Sequence, residues 1–461
     1  MKDIVIIGAG LSGITLANQL IEMYNVTIIE RGPKVGITYP EQTFIHRKFG
    51  SSNTYCYGTG GTTHLWHNGL IPIKHEELED GMFARILNSC SDKIDQAASL
   101  LNFKGEYLKE YNHSLDNYNK IASELTLDAE LDTILIPNHN PLLKPRSNIK
   151  VINSCRVISG KYQSERLVSV QLKYGNGTEE TLAADFFVIC SGGISSPKVI
   201  NTLLPDDLKE KKSKCLIDHP MGFLGKIKVK NKYKKSFDQF VNKDFGAYTG
   251  RCGIVIRNNN LKHICYFRPA ATMSNKLGLY QFKSKLGTSN LLGKIKCLLD
   301  PKIFHPDIMS EIFLHVTGKN LSTRTYSVWF VFEQKKNKSN DNYVCLDEKE
   351  LNKISWSLSE FENQSYVEAI NYIEEKLTHY CDKVDFVKDN IDSYVWSAAH
   401  HSGTIEFGCE PGTIGIDFKV NGTDNLYVCD ASIINEHGYT NTGLTISQLT
   451  IKLSEHLKAI G

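Results

Sequence analysis

Apolar runs and amphipathic stretches alternate along the 461-residue chain, and this alternation predicts a mixed α/β protein. Residues 3–7 form a short β-branched run of the kind found in buried strands, and residues 14–23 have the apolar spacing of a helix. A second apolar run, residues 26–29, predicts the next strand. Further predicted strands are residues 149–158, 167–174, 185–190, 264–267, 326–332 and 425–430, and further predicted helices are residues 83–101, 115–125, 198–204, 360–380 and 443–459.

A glycine-rich turn joins the first predicted strand to the first predicted helix. Gly8 permits a sharp turn, Gly10 lets the backbone approach a pyrophosphate, and Gly13 allows the helix to pack closely against the strand. The helix that begins near Ser12 presents free N–H groups to the anion. This pattern predicts a dinucleotide site. Turn glycines in some other βαβ unit are the alternative, but they leave the acid at the end of the second strand unexplained.

That acid is Glu30, whose carboxylate can accept hydrogen bonds from an adenosine ribose and favours FAD or NAD over NADP. Two later features favour FAD. The predicted strand 185–190 runs into Ser191 and Gly192, and the predicted strand near the C-terminus closes on Asp430. In flavoproteins with two dinucleotide folds, such a late carboxylate commonly binds the ribityl chain of the flavin. A turn-capping aspartate is the alternative.

Composition and charge narrow the class of protein. The 53 Lys and Arg residues nearly balance the 51 Asp and Glu residues, and a formal charge of +2 gives no reason to expect a nucleic-acid partner. The 12 cysteines form no CxxC pair and no metal-binding spacing, so we expect reduced thiols and no metal site. No apolar stretch approaches the ~20 residues of a membrane span, and the first strand follows Met1 without room for a secretory leader. We therefore expect a cytoplasmic protein.

Several motifs occur in the order typical of the glucose-methanol-choline (GMC) family of flavoprotein oxidoreductases, and the chain resembles that family. They are the turn 8–13, the glycine-rich loop 58–69, residues 191–197, the triplet 218–220, and the C-terminal blocks 400–404, 415–417, 424–432 and 441–445. The middle of the chain, roughly residues 219–390, shows no such match, as expected of a region that shapes a substrate pocket.

The resemblance implies an α/β fold with an FAD-binding Rossmann-like domain and an inserted substrate domain of antiparallel sheet backed by helices. Residues 1–75, 148–218 and 395–461 would form the discontinuous FAD-binding domain, residues 76–147 a helical and loop cover segment, and residues 219–394 the substrate-binding domain. The cofactor-binding residues that it implies are Gly8, Gly10, Ser12, Gly13, Glu30, Arg31, Gly61, Thr62, His67, Asn68, Val157, Ser191, Gly192, Asp430, Ala431 and Thr442.

The resemblance also implies the chemistry, which is FAD-dependent oxidation of an alcohol. Such a reaction needs a base for the hydroxyl proton, which a neutral histidine provides, and a hydrogen-bond donor such as an Asn amide for the same oxygen. The histidine three residues before Gly403 takes the role of base, which selects His400 over His401, and Asn441 takes the partner position. Neighbouring side chains on an extended segment point to opposite faces, so only one of these histidines should face the flavin. His401 as the base, and packing roles for both, stay open.

The loop around Trp66 resembles that of sugar and sugar-acid dehydrogenases, so we expect a sugar or sugar derivative as substrate and oxygen, a quinone or a protein as electron acceptor. Two departures from the family pattern are Thr442 in place of the usual proline after Asn441, and the missing proline after the Asp-Ala-Ser stretch. A sugar-nucleotide mutase-like flavoprotein and an inactive binding module are the alternative functions.

Three smaller predictions concern single segments. His64 and His67 are interpreted as loop-packing or flavin-contacting residues, with covalent flavin attachment as the alternative. Residues 286–299 mix leucines with lysines and are predicted to pack against the sheet, with a lid, a partner surface or a weak membrane contact as alternatives. Of the strand aromatics Tyr326, Trp329 and Phe330 we assign none a role, because such residues more often belong to the core.

Overall fold

The computed structural model describes residues 1–40, 42–45, 54–66, 68–139, 143–279, 281–282, 297–317, 324–336, 342–347, 350 and 352–461. His67 and most of the segment 286–299 therefore lie outside the described residues. Within the described ranges, no helix is both long enough and apolar enough to cross a bilayer.

Nineteen strands lie in these ranges. They are β1 (Lys2–Ile7), β2 (Tyr24–Ile29), β3 (Thr43–Ile45), β4 (Leu131–Pro137), β5 (Lys150–Ile152), β6 (Cys155–Gln163), β7 (Arg166–Tyr174), β8 (Glu179–Ala183), β9 (Phe186–Ile189), β10 (Pro220–Val229), β11 (Lys243–Asp244), β12 (Tyr248–Asn258), β13 (Leu261–Ala270), β14 (Thr325–Val331), β15 (Tyr343–Val344), β16 (Lys353–Ser355), β17 (Cys381–Phe386), β18 (Trp396–Ser397) and β19 (Leu426–Val428).

Nine α-helices lie in the same part of the chain. They are α1 (Leu11–Leu20), α2 (Met82–Asn88), α3 (Ile94–Leu100), α4 (Tyr107–Leu125), α5 (Gly192–Leu203), α6 (Lys234–Val241), α7 (Pro306–Thr317), α8 (Glu360–Thr378) and α9 (Thr442–Ile460).

A parallel five-stranded sheet in the order β19-β9-β1-β2-β5 confirms the predicted dinucleotide-binding fold. All four residues of β9 are buried, as expected of a strand that is covered on both faces. The helices α1 and α9 pack against each other beside the sheet, and α5 contacts β6 of the antiparallel meander β6-β7-β8. This sheet draws its strands from the first 30 residues, the middle and the end of the chain.

An antiparallel sheet forms the second half of the molecule. Its order is β11-β12-β13-β14-β10-β17, with β4 added to β12 and β18 added to β10. One face packs under helices α4, α6 and α8 and buries Phe267, Phe330 and Ile370, among others. The opposite face carries Tyr266 and Trp329 towards a large cavity. The fold class predicted from the sequence is therefore confirmed for both sheets.

Several element bounds differ from the sequence prediction. The predicted helix 83–101 is divided into α2 and α3, because a tight 3₁₀ turn at Ser91–Lys93 interrupts it. The predicted strand 149–158 is divided into β5 and β6 at Ser154, whose φ of 57° breaks the extended backbone. Strand β4 lies in the segment predicted to hold only helices and loops. Its pairing with β12, more than 100 residues away, is what stabilises it as a strand.

Candidate active site

A cavity of about 1000 Å³ lies where the carboxyl ends of the parallel strands meet the open face of the antiparallel sheet. Its first part, the cofactor end, is lined by residues that follow β1, β2, β9 and β19. Its second part, the substrate end, is lined by side chains of β10, β13, β14 and β18. Crevices at the carboxyl ends of parallel strands are where doubly wound folds bind dinucleotides.

The turn after β1 is built as the sequence predicts. Gly8 has a φ of 115°, and a Cβ there would lie 2.4 Å from the carbonyl oxygen of Cys190. A Cβ on Gly13 would lie 1.9 Å from the carbonyl oxygen of Gly8, so any side chain would push α1 off the turn. A Cβ on Gly10, in contrast, would meet no atom within 4 Å. The backbone at Gly10, where α1 begins without a side-chain cap, is therefore open to a ligand in the cavity.

Glu30 connects three segments of the cofactor end. Its Oε1 accepts hydrogen bonds from the backbone N–H groups of Gly32 (2.7 Å) and Gly58 (2.9 Å), and its Oε2 accepts one from Ala9 (2.8 Å). Oε2 keeps a lone pair that can accept from a ribose hydroxyl. Glu30 thus holds the loops in place in addition to facing the cavity, and the first of these roles was not predicted.

Asp430 is buried at the end of β19, and its carboxylate accepts four hydrogen bonds from neighbouring groups of the protein. Its Oδ2 accepts hydrogen bonds from the Gly192 amide (2.8 Å) and the Ser196 hydroxyl (2.5 Å), and its Oδ1 accepts from the amide (2.8 Å) and hydroxyl (2.6 Å) of Ser432. Burial raises the pKa of Asp430 from its usual value, although these four donors oppose the rise. Its carboxylate therefore fixes the loop after β9 against the turn after β19.

The glycine-rich loop closes over the turn of β1. The Gly60 amide donates to the carbonyl oxygen of Ala9 (2.8 Å), and a Cβ on Gly61 would lie 3.2 Å from the Cα of Gly10. Trp66 packs on the start of α9, where a Cβ on Gly443 would lie 2.6 Å from its ring. These contacts place the loop and the last helix on the same side of the cavity.

Most of the predicted cofactor residues line the cavity. Besides those already described, they are Ser12, Arg31, Thr62, Val157, Ser191, Ala431 and Thr442. Asn68 does not: it is fully buried and its amide donates to the carbonyl oxygen of Leu101 (2.8 Å). Gly13 acts through packing and does not line the cavity. His64, considered as a flavin tether, has its ring within 2.8 Å of the carbonyl oxygen of Thr59 in its own loop.

The two adjacent histidines differ in their partners. In His401, Nε2 lies 3.0 Å from the Thr54 hydroxyl and Nδ1 lies 3.1 Å from a carboxylate oxygen of Asp218. In His400, no hydrogen bond joins the ring to another described residue, and Nδ1 is buried without a partner. Burial lowers the pKa of His400 to about 4, although the nearby Asp218 opposes the shift. The ring of His400 is therefore uncharged at ordinary pH, whereas the ring of His401 contacts Thr54 and Asp218.

Asp218 holds the backbone of the predicted base. One oxygen accepts hydrogen bonds from the amides of His400 (3.0 Å) and His219 (2.7 Å), and the other accepts from the Ser397 hydroxyl. Burial would raise the pKa of Asp218, but His401 and the Ser397 hydroxyl together hold it below its usual range. The triplet at 218–220 was noted only as a family motif, and its role in positioning His400 is a finding of the structure.

Two further histidines support the ring of His400 from behind. The His219 ring lies edge-on to it at 5.1 Å between centroids, and His437 lies 4.1 Å from His219. Burial lowers the pKa of His437 to about 4 and that of His219 below its usual range. The cluster is therefore uncharged. Asn441 lines the cavity as well, and one of its two amide N–H groups donates to the carbonyl oxygen of Gly69 (2.7 Å), which leaves the second for another acceptor.

The sequence analysis missed the side chains that line the substrate end. They come from alternate positions of the antiparallel sheet and from neighbouring loops, namely Met221, Phe223, Tyr266, Arg268, Trp329, Val331, Trp396 and Tyr439. Of the three aromatics left without a role, Trp329 lines the cavity, while Tyr326 and Phe330 belong to the core beneath the helices. The alternation of side chains between the two faces of β14 was the signal available in the sequence. Alternation alone does not show which face packs in the core and which faces the cavity.

The comparisons with known proteins agree with this architecture. Residues 359–450 match the family model described as GMC oxidoreductase. Three solved structures cover the whole chain: pyridoxine 4-oxidase from Mesorbium loti (13% identity, 99% of that chain, TM-score 0.61), a formate oxidase (15%, 98%, 0.60) and an FAD-dependent oxidoreductase from Chaetomium thermophilum (12%, 99%, 0.60).

A curated relative, fumarate reductase 1 of Saccharomyces cerevisiae, is 23% identical over 208 residues, and the match spans 43% of either chain. At these identities the solved structures show the shared fold. The fold and the site define a protein whose dinucleotide-binding sheet is joined to an antiparallel sheet across one cavity. Its C-terminal segment, residues 359–450, resembles the GMC oxidoreductases, and one of the proteins that share its fold is an FAD-dependent oxidoreductase.

Proposed function

We propose that the protein oxidises an alcohol to the corresponding carbonyl compound, with His400 as the base and Asn441 as a hydrogen-bond donor to the reacting oxygen. The contrast between the two adjacent histidines is the observation that supports this most. In His401, Nε2 lies 3.0 Å from the Thr54 hydroxyl and Nδ1 lies 3.1 Å from a carboxylate oxygen of Asp218, whereas His400 lines the cavity and no hydrogen bond joins its ring to another described residue.

Residues of the protein itself accept the hydroxyl proton and stabilise the oxygen that loses it. His400 accepts the hydroxyl proton at a ring nitrogen, and the unused amide N–H of Asn441 donates to the same oxygen as negative charge develops on it. When bound, FAD supplies the two-electron acceptor for the hydride that leaves the carbinol carbon. The alcohol loses one proton and one hydride and becomes a carbonyl compound, so atoms and electrons balance.

Asp218 acts as a positioning residue. It accepts a hydrogen bond from the backbone of His400 and engages the ring of His401, so it fixes the peptide that carries the base. The uncharged ring of His219 packs edge-on against that of His400, with His437 against His219 in turn, and this burial favours the neutral form of His400.

The substrate that we propose is a sugar or a sugar derivative, on the strength of the loop around Trp66. The proteins that share the fold include a pyridoxine 4-oxidase and a formate oxidase, so the shared fold does not select one substrate. Oxygen, a quinone or a protein would reoxidise the flavin. We further propose that the protein acts in the cytoplasm.

The test is an anaerobic screen of the FAD-loaded protein with sugars, sugar nucleotides and simple alcohols. An alcohol substrate should bleach the visible absorption of the flavin without oxygen, and the carbonyl product should appear in equal amount. A protein that holds FAD but is bleached by none of these compounds would contradict the proposal. In that case, conversion of a sugar nucleotide only after chemical reduction of the flavin would support a mutase-like activity instead.

A further inference from the structure

Three cations lie in one row across the antiparallel sheet. Lys226 on β10 and Arg268 on β13 both lie directly opposite Ser327 of β14, so the three side chains share one face. Arg251 on β12 lies opposite Ile134 of β4, which lines the cavity, so it belongs to the same face. Lys226, Arg268 and Arg251 are called the cationic row below. Arg268 itself lines the cavity.

The members of the cationic row differ in how their charges are balanced. Lys226 is fully buried and pairs with Asp307 at 2.7 Å. Arg251 is only 5% exposed, yet its Nε and Nη1 have no hydrogen-bond partner among the described residues, and the Nε of Arg268 has none there either. Burial, and then the charge of Arg268, lowers the pKa of Arg251 to about 9, while Glu311 opposes this through its charge. Arg268 thus lines the cavity with an unused donor, and the buried charge of Arg251 lies beside it on the same face of the sheet.

Residues 269–299, which follow Arg268 along the chain, contain lysines but no aspartate or glutamate. Of the acids that come after them, Asp307 pairs with Lys226, and Glu311 acts on Arg251 through its charge. The folded protein therefore pays a desolvation cost at this row, since a buried guanidinium without a partner is unfavourable. A bound anion would remove that cost.

Neutral donors around the arginines are unpaired as well. The hydroxyls of Tyr266 and Ser327 and the indole N–H of Trp329 are buried and have no hydrogen-bond partner in the part of the chain that the structure describes. The guanidinium of Arg268 lies 5.5 Å from the centre of the Trp329 ring, so these groups form one cluster. Buried polar groups are paired in the great majority of folded proteins. An acceptor-rich ligand at this position would pair several of them at once.

We propose that the substrate carries an oxyanion, a carboxylate or a phosphate, which binds to Arg268, with the charge of Arg251 behind it adding to the attraction, while the alcohol carbon faces His400. The second half of this statement rests on the proposed function, whereas the anion site does not. A planar guanidinium donates two parallel hydrogen bonds to either oxyanion, so the row fits both chemistries. Sugar acids and sugar phosphates are the substrate classes that meet both requirements.

The experiment measures binding to the FAD-loaded protein without turnover. Glucuronate and glucose 6-phosphate are the anionic probes and glucose is the neutral probe, and binding is followed by the change in flavin absorption and by the shift in Tm. We expect at least one anion to bind more tightly than glucose by on the order of 10-fold or more. The carboxylate and phosphate arms then distinguish the two sources of the oxyanion.

Variants locate the anion. Arg268→Gln and Arg251→Gln should each weaken binding of the anion on the order of 10- to 100-fold and leave that of glucose unchanged. Arg257→Gln is the matched control, because Arg257 lies on the same strand as Arg251 but pairs with Glu130 and Glu77 at the surface. If Arg251→Gln does not fold, Arg251→Lys keeps the charge, loses the planar fork and should weaken anion binding less.

Two results would overturn the inference: both anions binding no more tightly than glucose, or the Arg268 and Arg251 variants binding them as tightly as the parent protein. The proposed function fails separately. Arginine-dependent anion binding without bleaching of the flavin by any alcohol would keep the anion site and contradict the oxidation. Bleaching by a neutral alcohol, with no preference for anions, would support the oxidation and contradict the anion site.

Discussion

The two ends of the cavity differ in how their polar groups are paired. At the cofactor end, Glu30 and Asp430 accept seven hydrogen bonds between them, all from loops and helix starts of the protein itself. At the substrate end, Arg251, Arg268 and Tyr266 keep buried donors that no described residue pairs.

This difference shows which part of the site the fold completes by itself. Loops at the ends of the parallel strands satisfy one another, so the cofactor end is preorganised and its polar groups stabilise the protein. The substrate end carries groups that stabilise little until a ligand arrives, since an unpaired buried donor costs free energy. The two ends of the cavity should therefore respond differently to substitution and to pH.

The largest effect is expected at His400. The substitution His400→Ala should slow anaerobic flavin reduction on the order of 10²- to 10⁴-fold, because the hydroxyl proton loses its acceptor, while the protein still binds FAD. Rapid-mixing absorbance measures the rate. His401→Ala is the matched variant and should slow it far less, although it removes contacts to Thr54 and Asp218. A reversed order of the two variants would show that His401 is the base.

A smaller effect is expected at Glu30. The substitution Glu30→Gln places an amide among three backbone N–H donors and should weaken FAD binding on the order of 10- to 100-fold. Fluorescence of released flavin measures the change. Glu22→Gln, on an exposed acid just after α1, is the control and should bind FAD as the parent does. Unchanged FAD binding in Glu30→Gln would mean that the loops do not depend on this carboxylate.

A pair of stability measurements compares the ends directly. Ser196→Ala removes a hydroxyl that donates to Asp430 and should lower the free energy of unfolding by about 1.5 to 3 kcal/mol. Tyr266→Phe removes a buried hydroxyl that has no partner, so its cost in the ligand-free protein should be below about 0.5 kcal/mol, or the change should be stabilising. Chemical unfolding of the two variants measures both. Equal costs would contradict the difference between the ends.

The smallest effect on the rate of flavin reduction is expected from pH. Because burial lowers the pKa of His400 to about 4, its ring stays neutral and the rate of flavin reduction should be nearly constant from pH 8 down to about 5.5. Stability should respond more. The folded protein binds fewer protons at His400 and His437 than the unfolded chain, so the free energy of unfolding should fall between about pH 6.5 and 4. A rate that decreases with a midpoint near 6.5 would contradict a desolvated base.

Local sequence patterns predicted the cofactor end well. The turn Gly8 to Gly13, the acid Glu30 and the late Asp430 lie at fixed offsets from short apolar strands, so their positions follow from sequence neighbours alone. The family motif likewise selected His400, which the structure finds on the cavity wall.

The residues of the substrate end could not be predicted from the sequence, because they come together only through strand pairing. Arg251 and Arg268 become neighbours through the pairing of β12 with β13, and β4 exists as a strand because it pairs with β12. Asn68, which was predicted to bind the cofactor but does not line the cavity, is a different case. It lies within a matching motif, but a φ of 58° turns its chain and its amide binds Leu101.

The alternation of faces along β13 and β14 has a consequence for how this protein can change. Tyr266 and Arg268 of β13 and Trp329 and Val331 of β14 line the cavity, whereas residues between them, such as Phe267 and Phe330, belong to the hydrophobic core. New specificities can therefore arise, in evolution or in the laboratory, by altering one set of positions while the interior that keeps the scaffold intact remains untouched.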